Sequence, residues 1–336
     1  MELKINNFNE KIVFIEVKNE GKLSAIFSNF GAGVFRLRYD DKPLILEIED
    51  KEKWLYCKQF YGKTLGRVAG RIRCDGEIDG EPYSLVETSD NYSLHGGYTN
   101  SLSFKPWKYK VKEYKNRIDV IFEIKSKNLE NGFPGDLKIR VTYQLFNNNN
   151  FKIVYKAKTS TKTLVNLSNH NYYNFFNSKD VSDYVLKVNA SNYGEIDETI
   201  FITSTEKVPW YLDFERATKL NSRLNYIENH VPVKTIDNTF VFNSIIKNKP
   251  QAILKNKDCK LSLYTDYPAM NIFCDDLHEP IKFTQFDEIN NGRRALALEP
   301  QLYNFDTKSL VLRKGETYSH FILLKIKDLR KLWLKK

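Results

Sequence analysis

The chain has 336 residues, of which 41% are hydrophobic, 28% charged and 14% aromatic, and it carries a net charge of +10. So much aromatic content excludes disorder as the main state, and no apolar run reaches the 18 or more residues of a transmembrane helix. Its 52 basic residues are interleaved with 42 acidic ones, whereas a nucleic-acid binder would cluster its charge.

Taken in chain order, alternation of apolar and polar residues predicts a strand over 11–18. A short helix is expected near 50–60. Ile118, Val120, Phe122 and Ile124 alternate with polar neighbours, as do Leu137, Ile139, Val141, Tyr143 and Leu145. Phe151, Ile153, Tyr155 and Ala157 repeat the pattern, and Phe146-Asn147-Asn148-Asn149-Asn150 reads as the hairpin connection between these runs, since Asn tolerates left-handed turns. A helix is expected over 238–247, strands over 261–265 and 318–326, and a basic C-terminal helix within 325–336. With 15 Gly and 10 Pro, many turns must rely on Asn and Asp. Many strands, few long amphipathic helices and no Pro/Gly/Ser-rich linker predict an all-β, large antiparallel β-sandwich forming one domain over 1–336.

No basic segment followed by an apolar one opens the chain, so the expected location is cytoplasmic. Cys57, Cys74, Cys259 and Cys274 are then expected as buried, reduced thiols. No C-x-x-C spacing suggests zinc, and neither a P-loop nor a G-x-S-x-G elbow is present.

Five segments between strands carry unusual residue types. Gly66-Arg67-Val68-Ala69-Gly70-Arg71-Ile72 sets two arginines among small residues; locally it reads as a turn with surface arginines. Ser93-Leu94-His95-Gly96-Gly97 lets the backbone bend away from an imidazole. Asn166 to Phe175 is dense in polar and aromatic side chains; on a strand Ser168, His170 and Tyr172 share one face, and such an imidazole suits acid–base work. Asp237 reads locally as a helix N-cap. Glu299 ends an apolar strand, where Pro300 is expected to stop the ladder and leave the carboxylate facing a cleft.

In this order the segments resemble the aldose 1-epimerase (galactose mutarotase) family. The resemblance includes Asn29-Phe30-Gly31-Ala32, Gly66 to Ile72, Leu94-His95-Gly96-Gly97 and Gly132-Phe133-Pro134-Gly135-Asp136-Leu137. It continues through Asn169-His170-Asn171-Tyr172-Tyr173-Asn174, Tyr264-Thr265-Asp266-Tyr267-Pro268, Leu298-Glu299-Pro300-Gln301 and Leu312-Arg313-Lys314-Gly315-Glu316. It implies a β-supersandwich with a cleft on its concave face, and interconversion of the α and β anomers of a free aldohexose such as galactose or glucose. It further implies His170 as general acid and Glu299 as general base, with Arg71, His95 and Asp237 holding the sugar. No metal or other cofactor, no nucleic acid and no membrane is implied, and the protein is expected as a monomer or homodimer. Two departures stand out. The family commonly has Asp-His where this chain has Asp237-Asn238, and often Asn before the arginine where this chain has Gly70, a change expected to widen the pocket.

Anomerisation removes a proton from the C1 hydroxyl and delivers one to the ring oxygen, which suits a carboxylate and an imidazolium. Ordinary values of about 4.3 and about 6.5 would give a slightly acid optimum. A hexose 6-phosphate epimerase on the same fold would need clustered cations, for which Arg67, Arg71 and Arg73 are the candidates. A non-catalytic sugar-binding module would not need both His170 and Glu299.

Overall fold

The alternation that predicts strands is also what buries them. In the strand Leu137–Phe146, Leu137, Ile139, Val141, Tyr143 and Leu145 are buried while Lys138 and Arg140 face water. Period-two side chains leave such a strand no choice of face. Its antiparallel partner Asn150–Thr159 returns through the expected Asn-rich turn, in which Asn149 takes a positive φ of 64°. The turn is tied to the N-terminal sheet, because Asn149 Oδ1 accepts from Lys22 N–H at 2.7 Å.

The computed structural model describes residues 2–246, 248–275, 281–286 and 292–330. Three antiparallel sheets build most of it. The largest has nine strands, in the order Lys108–Tyr114, Arg117–Ser126, Leu137–Phe146, Asn150–Thr159, Tyr318–Asp328, Cys259–Thr265, Ala252–Lys255, Val185–Val188 and Thr218–Lys219. A six-stranded sheet runs Tyr172–Tyr173, Leu296–Gln301, Ala269–Cys274, Asp237–Phe242, Ala190–Ile196 and Ile202–Lys207. The five strands between Glu2 and Pro43 form the third.

One buried apolar cluster takes side chains from all three sheets: Val17, Phe27 and Leu37 from the N-terminal sheet, Val120, Val141 and Leu263 from the largest, and Phe240, Met270 and Leu298 from the six-stranded one. A second cluster, around Phe14, Phe35 and Trp54, uses the other face of the N-terminal sheet. The all-β sandwich expected from the alternation is therefore the observed architecture. All four cysteines are buried, as expected.

The helices depart further from the sequence pattern. The short helix Lys51–Tyr56 is present, with Asp50 accepting from Glu52 and Lys53 N–H. The helix expected over 238–247 is instead the strand Asp237–Phe242, so Asp237 is not an N-cap. This strand lies between Ala190–Ile196 and Ala269–Cys274, and that two-sided pairing overrides local capping preference. The helix Leu220–His230 was not anticipated; only Leu220, Leu224 and Ile227 of its eleven residues are buried, a stripe too narrow to stand out. The last strand continues through Asp328, which corrects the start of the expected C-terminal helix; residues 331–336 lie outside those described. Pro300 does not stop its ladder: it sits within Leu296–Gln301 opposite Met270. The short strand on the other side pairs only with Leu296 and Ala297, so no neighbour there asks Pro300 for an N–H.

Arg67 is a structural residue, buried and not on the surface. Its guanidinium donates to the carbonyls of Pro134 at 3.0 Å, Gly135 at 2.9 Å and Lys127 at 2.6 Å, and to Ser126 Oγ at 3.0 Å. It thereby fastens the Gly132–Gly135 turn to the segment that carries Arg71. Arg67→Met would strand these acceptors, at about 1–3 kcal/mol for each one left unpaired. We expect its urea midpoint to fall by the equivalent of roughly 4 kcal/mol or more, with an unchanged m-value.

Candidate active site

The candidate site is a cavity of about 410 Å³ at which all five singled-out residues meet: Arg71, His95, His170, Asp237 and Glu299. They arrive from separate parts of the fold. Arg71 begins the strand Arg71–Arg73, whose partner Tyr92–Leu94 delivers His95 directly after it. His95 has a φ of 52° and is followed by two glycines of positive φ. A Cβ at Gly96 would lie 2.2 Å from the carbonyl oxygen of Gly66. The second segment of the motif therefore needs glycine for close backbone approach as well as for its turn.

His170 sits between the two-residue strands Ser168–Asn169 and Tyr172–Tyr173. The polar residues before it are clamps, which explains a density that composition alone could not. Ser168 Oγ donates to Pro300 O at 2.8 Å, and Asn166 grips Leu302 through both its amide oxygen and its amide nitrogen. Asn169 Nδ2 donates to the carbonyls of Gly62 and Lys63. The clamps bind the His170 segment to the strand that carries Glu299. The imidazole stacks on Tyr172 with ring centroids 4.6 Å apart.

At the centre, His170 Nε2 is 3.5 Å from Glu299 Oε1, and the two residues are 5% and 1% exposed. Neither carboxylate oxygen has a close hydrogen-bond partner among the described residues. Burial dominates their titration. It pushes the His170 imidazole down to about 3 and the Glu299 carboxyl up to about 8, the latter helped by the nearby Asp237 charge. Burial disfavours whichever form is charged, so the pair rests as a neutral imidazole beside a protonated carboxyl. Together they hold one proton, and their titration belongs to the pair.

Around this pair, Asp237 Oδ2 accepts from Arg71 Nη1 at 3.1 Å and Asp237 Oδ1 from Asn271 Nδ2 at 3.0 Å. Asn271 stands opposite Glu299 in the ladder, a juxtaposition invisible without the register. Further lining comes from Phe60, Tyr98 and Phe273, and from Ile196, Ile200 and Phe201 of one hairpin. Nothing in the sequence marked that apolar wall.

His95, His170 and Glu299 also present donor atoms within 4.8 Å of one another, a grouping that could suggest a metal. His95 Nδ1, however, accepts from Gly70 N–H at 3.1 Å. That bond keeps the proton of the neutral ring on Nε2, where it can donate but cannot ligate. Burial, followed by the neighbouring His170 and Arg71, holds the His95 imidazole well below its ordinary value. The donor set fits hydrogen bonding to a ligand better than coordination.

The arginine cluster considered for a phosphate does not assemble. Arg67 is spent on carbonyls, and Arg73 is exposed with its guanidinium over the Phe201 ring. Of the two departures, Asn238 points away from the cavity and lines a separate one with Tyr193 and Glu195. Gly70 lines the main cavity, but the space beside it is occupied in part by the side-chain amides of Asn304 and Gln301.

Comparison with known proteins places this geometry in a family. The aldose 1-epimerase family model matches residues 14–325. The bifunctional protein gal10 of Schizosaccharomyces pombe is 28% identical over 314 residues, covering 88% of this chain and 43% of its own length. The chain thus spans less than half of that relative. Galactose mutarotase of Rattus norvegicus is 25% identical over 318 residues, covering 89% and 90% of the two chains. Among solved structures, the GalM/aldose epimerase homologue from C. elegans superposes with a TM-score of 0.83 at 26% identity, covering 94% of this chain and 99% of that one. Galactose 1-epimerase from Lactobacillus acidophilus shares the fold, with a TM-score of 0.86 at 23% identity over 97% and 99% of the chains. With a family model spanning nearly the whole chain and a cavity built from the motifs that carry the resemblance, the protein belongs to the aldose 1-epimerase family.

Proposed function

We propose that the protein is a mutarotase, interconverting the α and β anomers of a free aldohexose such as galactose or glucose. The observation that carries this reading is the His170–Glu299 pair: two buried groups 3.5 Å apart with one proton between them, facing a cavity of sugar-binding size. Glu299 as carboxylate takes the proton of the C1 hydroxyl while His170 as imidazolium protonates the ring oxygen. The C1–ring oxygen bond breaks and the open-chain aldehyde forms. At that point Glu299 is protonated and His170 neutral, which is the state burial favours. The environment therefore supports the proton arrangement that accompanies the open chain. Rotation about C1–C2 turns the other carbonyl face toward the ring-closing hydroxyl. Closure returns both protons. Arg71, His95 and Asp237 hold the hydroxyls, and the Arg71 charge assists the carboxylate when the ion pair forms. Proton transfer of this kind contributes typically about 10²–10⁴-fold.

The primary test is polarimetry of freshly dissolved α-galactose and α-glucose, with the protein pretreated with EDTA. The expected result is faster decay to the equilibrium rotation, unchanged by chelation. Activity lost with EDTA and restored by a metal would sink the acid–base reading.

Glu299→Gln and His170→Asn are close to isosteric. Each should lower kcat by roughly 10² or more while sugar still binds. Arg71→Lys, which loses the guanidinium fork, should instead act mainly on KM. Near-normal turnover in Glu299→Gln would remove that residue from the mechanism.

The pH profile provides a third test. Activity requires one proton on the pair. That proton leaves as pH rises through about 8, and a second is added only as pH falls toward about 3. The expected kcat/KM is flat across neutral pH with an alkaline limb near 8, in place of the slightly acid optimum that ordinary values would give. A narrow bell centred between the ordinary glutamate and histidine values would show that the pair is not desolvated as described.

A further inference from the structure

Beside the reacting pair, the cavity has a corner that the mechanism leaves unused. Ala297, Glu299 and Gln301 share one face of their strand, so Gln301 is the next side chain along from Glu299 on that face. Gln301 is 1% exposed and Asn304, in the loop that follows, 7% exposed; both line the cavity. Asn304 Nδ2 donates to Arg71 O at 2.8 Å, which fixes its amide. The opposite ends, Gln301 Oε1 and Asn304 Oδ1, are buried with no hydrogen-bond partner. The two amide groups flank Gly70: a Cβ there would lie 2.9 Å from Asn304 Nδ2, 3.4 Å from Gln301 Nε2 and 3.6 Å from Gln301 Oε1. Gly70 has a φ of +78°, so a side chain at this position is opposed by both the backbone and the amides.

Two buried acceptors without a donor are costly to maintain unless something supplies the donor. We infer that Gln301 and Asn304, opened to the cavity by Gly70, form a specificity subsite whose two amide oxygens accept one hydrogen bond each from neighbouring hydroxyls of the sugar. The inference rests on the mutarotase reading of the same cavity and narrows its substrate class. Carbonyl oxygens accept from a neutral hydroxyl but repel a phosphate or carboxylate. The sugar positions that enter this corner therefore carry free hydroxyls.

The test compares α-galactose with its 2-, 3-, 4- and 6-deoxy analogues on wild type, Gln301→Met and Asn304→Leu. It reads kcat/KM by polarimetry and Kd by calorimetry. Wild type should lose roughly tenfold to a hundredfold for each deoxy sugar that lacks one of these hydroxyls, through the acceptor left unpaired. In Gln301→Met, galactose should fall to within about twofold of the deoxy sugar that lacks the hydroxyl donating to Gln301, because that acceptor is gone. Should Gln301→Met fail to fold, Asn304→Leu, on a loop, supplies the corresponding comparison for the other hydroxyl. Wild type that treats the deoxy sugars alike, with water satisfying the amides, overturns the inference. So does a variant that slows every sugar by one common factor. A wild type that discriminates among the analogues in Kd but turns over neither galactose nor any analogue overturns the mutarotase reading and leaves the subsite standing.

Discussion

Removal of water from His170 and Glu299 is the constraint on which the rest of this structure depends. In water the carboxylate would be the stronger acid and the two groups would carry opposite charges. In the cavity burial reverses that order, driving the imidazole down and the carboxyl up. The pair keeps a single proton over a wide pH range, and moving that proton alters the charge distribution without altering the charge. A reversible reaction that requires a proton at one oxygen when opening and at another when closing is matched by such a pair.

Maintaining a 3.5 Å approach between groups 129 positions apart demands a rigid frame. The frame is a set of polar side chains that are themselves buried. Asn166, Ser168 and Asn169 bond to carbonyl and amide groups of the 300–302 and 62–63 segments. Tyr143, from the third strand of the nine-stranded sheet, donates to Ala32 O at 2.6 Å. These bonds replace a continuous ladder where the strands are only two residues long. They also explain why the stretch most densely polar in the sequence is among the least exposed in the fold. The donors of Asn166, Ser168 and Asn169 are matched to acceptors, so their desolvation is tolerated.

Arg67 and Arg71 show how similar residues in one motif divide their work. Four positions apart, both sit among glycines and small side chains. Arg67 turns inward to the Gly132–Gly135 turn and the Lys127 carbonyl, and Arg71 turns to Asp237 at the cavity. The difference is set by what the neighbouring segments present, carbonyl oxygens in one case and a carboxylate in the other. Read locally, the motif places both on the surface, because those segments lie at least 60 residues away in the chain.

Strand periodicity was legible in the sequence because alternation is a local property, and each strand from 117 to 159 took the face its pattern required. The five candidate site residues were legible because their types, spacing and order form motifs. The sequence did not reveal the helix Leu220–His230, the strand identity of Asp237, Asn271 opposite Glu299, or the amide corner at Gln301 and Asn304. Each depends on partners distant in the chain: pairing on both sides for Asp237, register for Asn271, and a loop crossing behind Gly70 for the amides. The protonation of the central pair was least accessible of all. The sequence by itself determined which groups would titrate; the tertiary structure alone decided where they would do so, because desolvation sums the shielding of every segment packed around them.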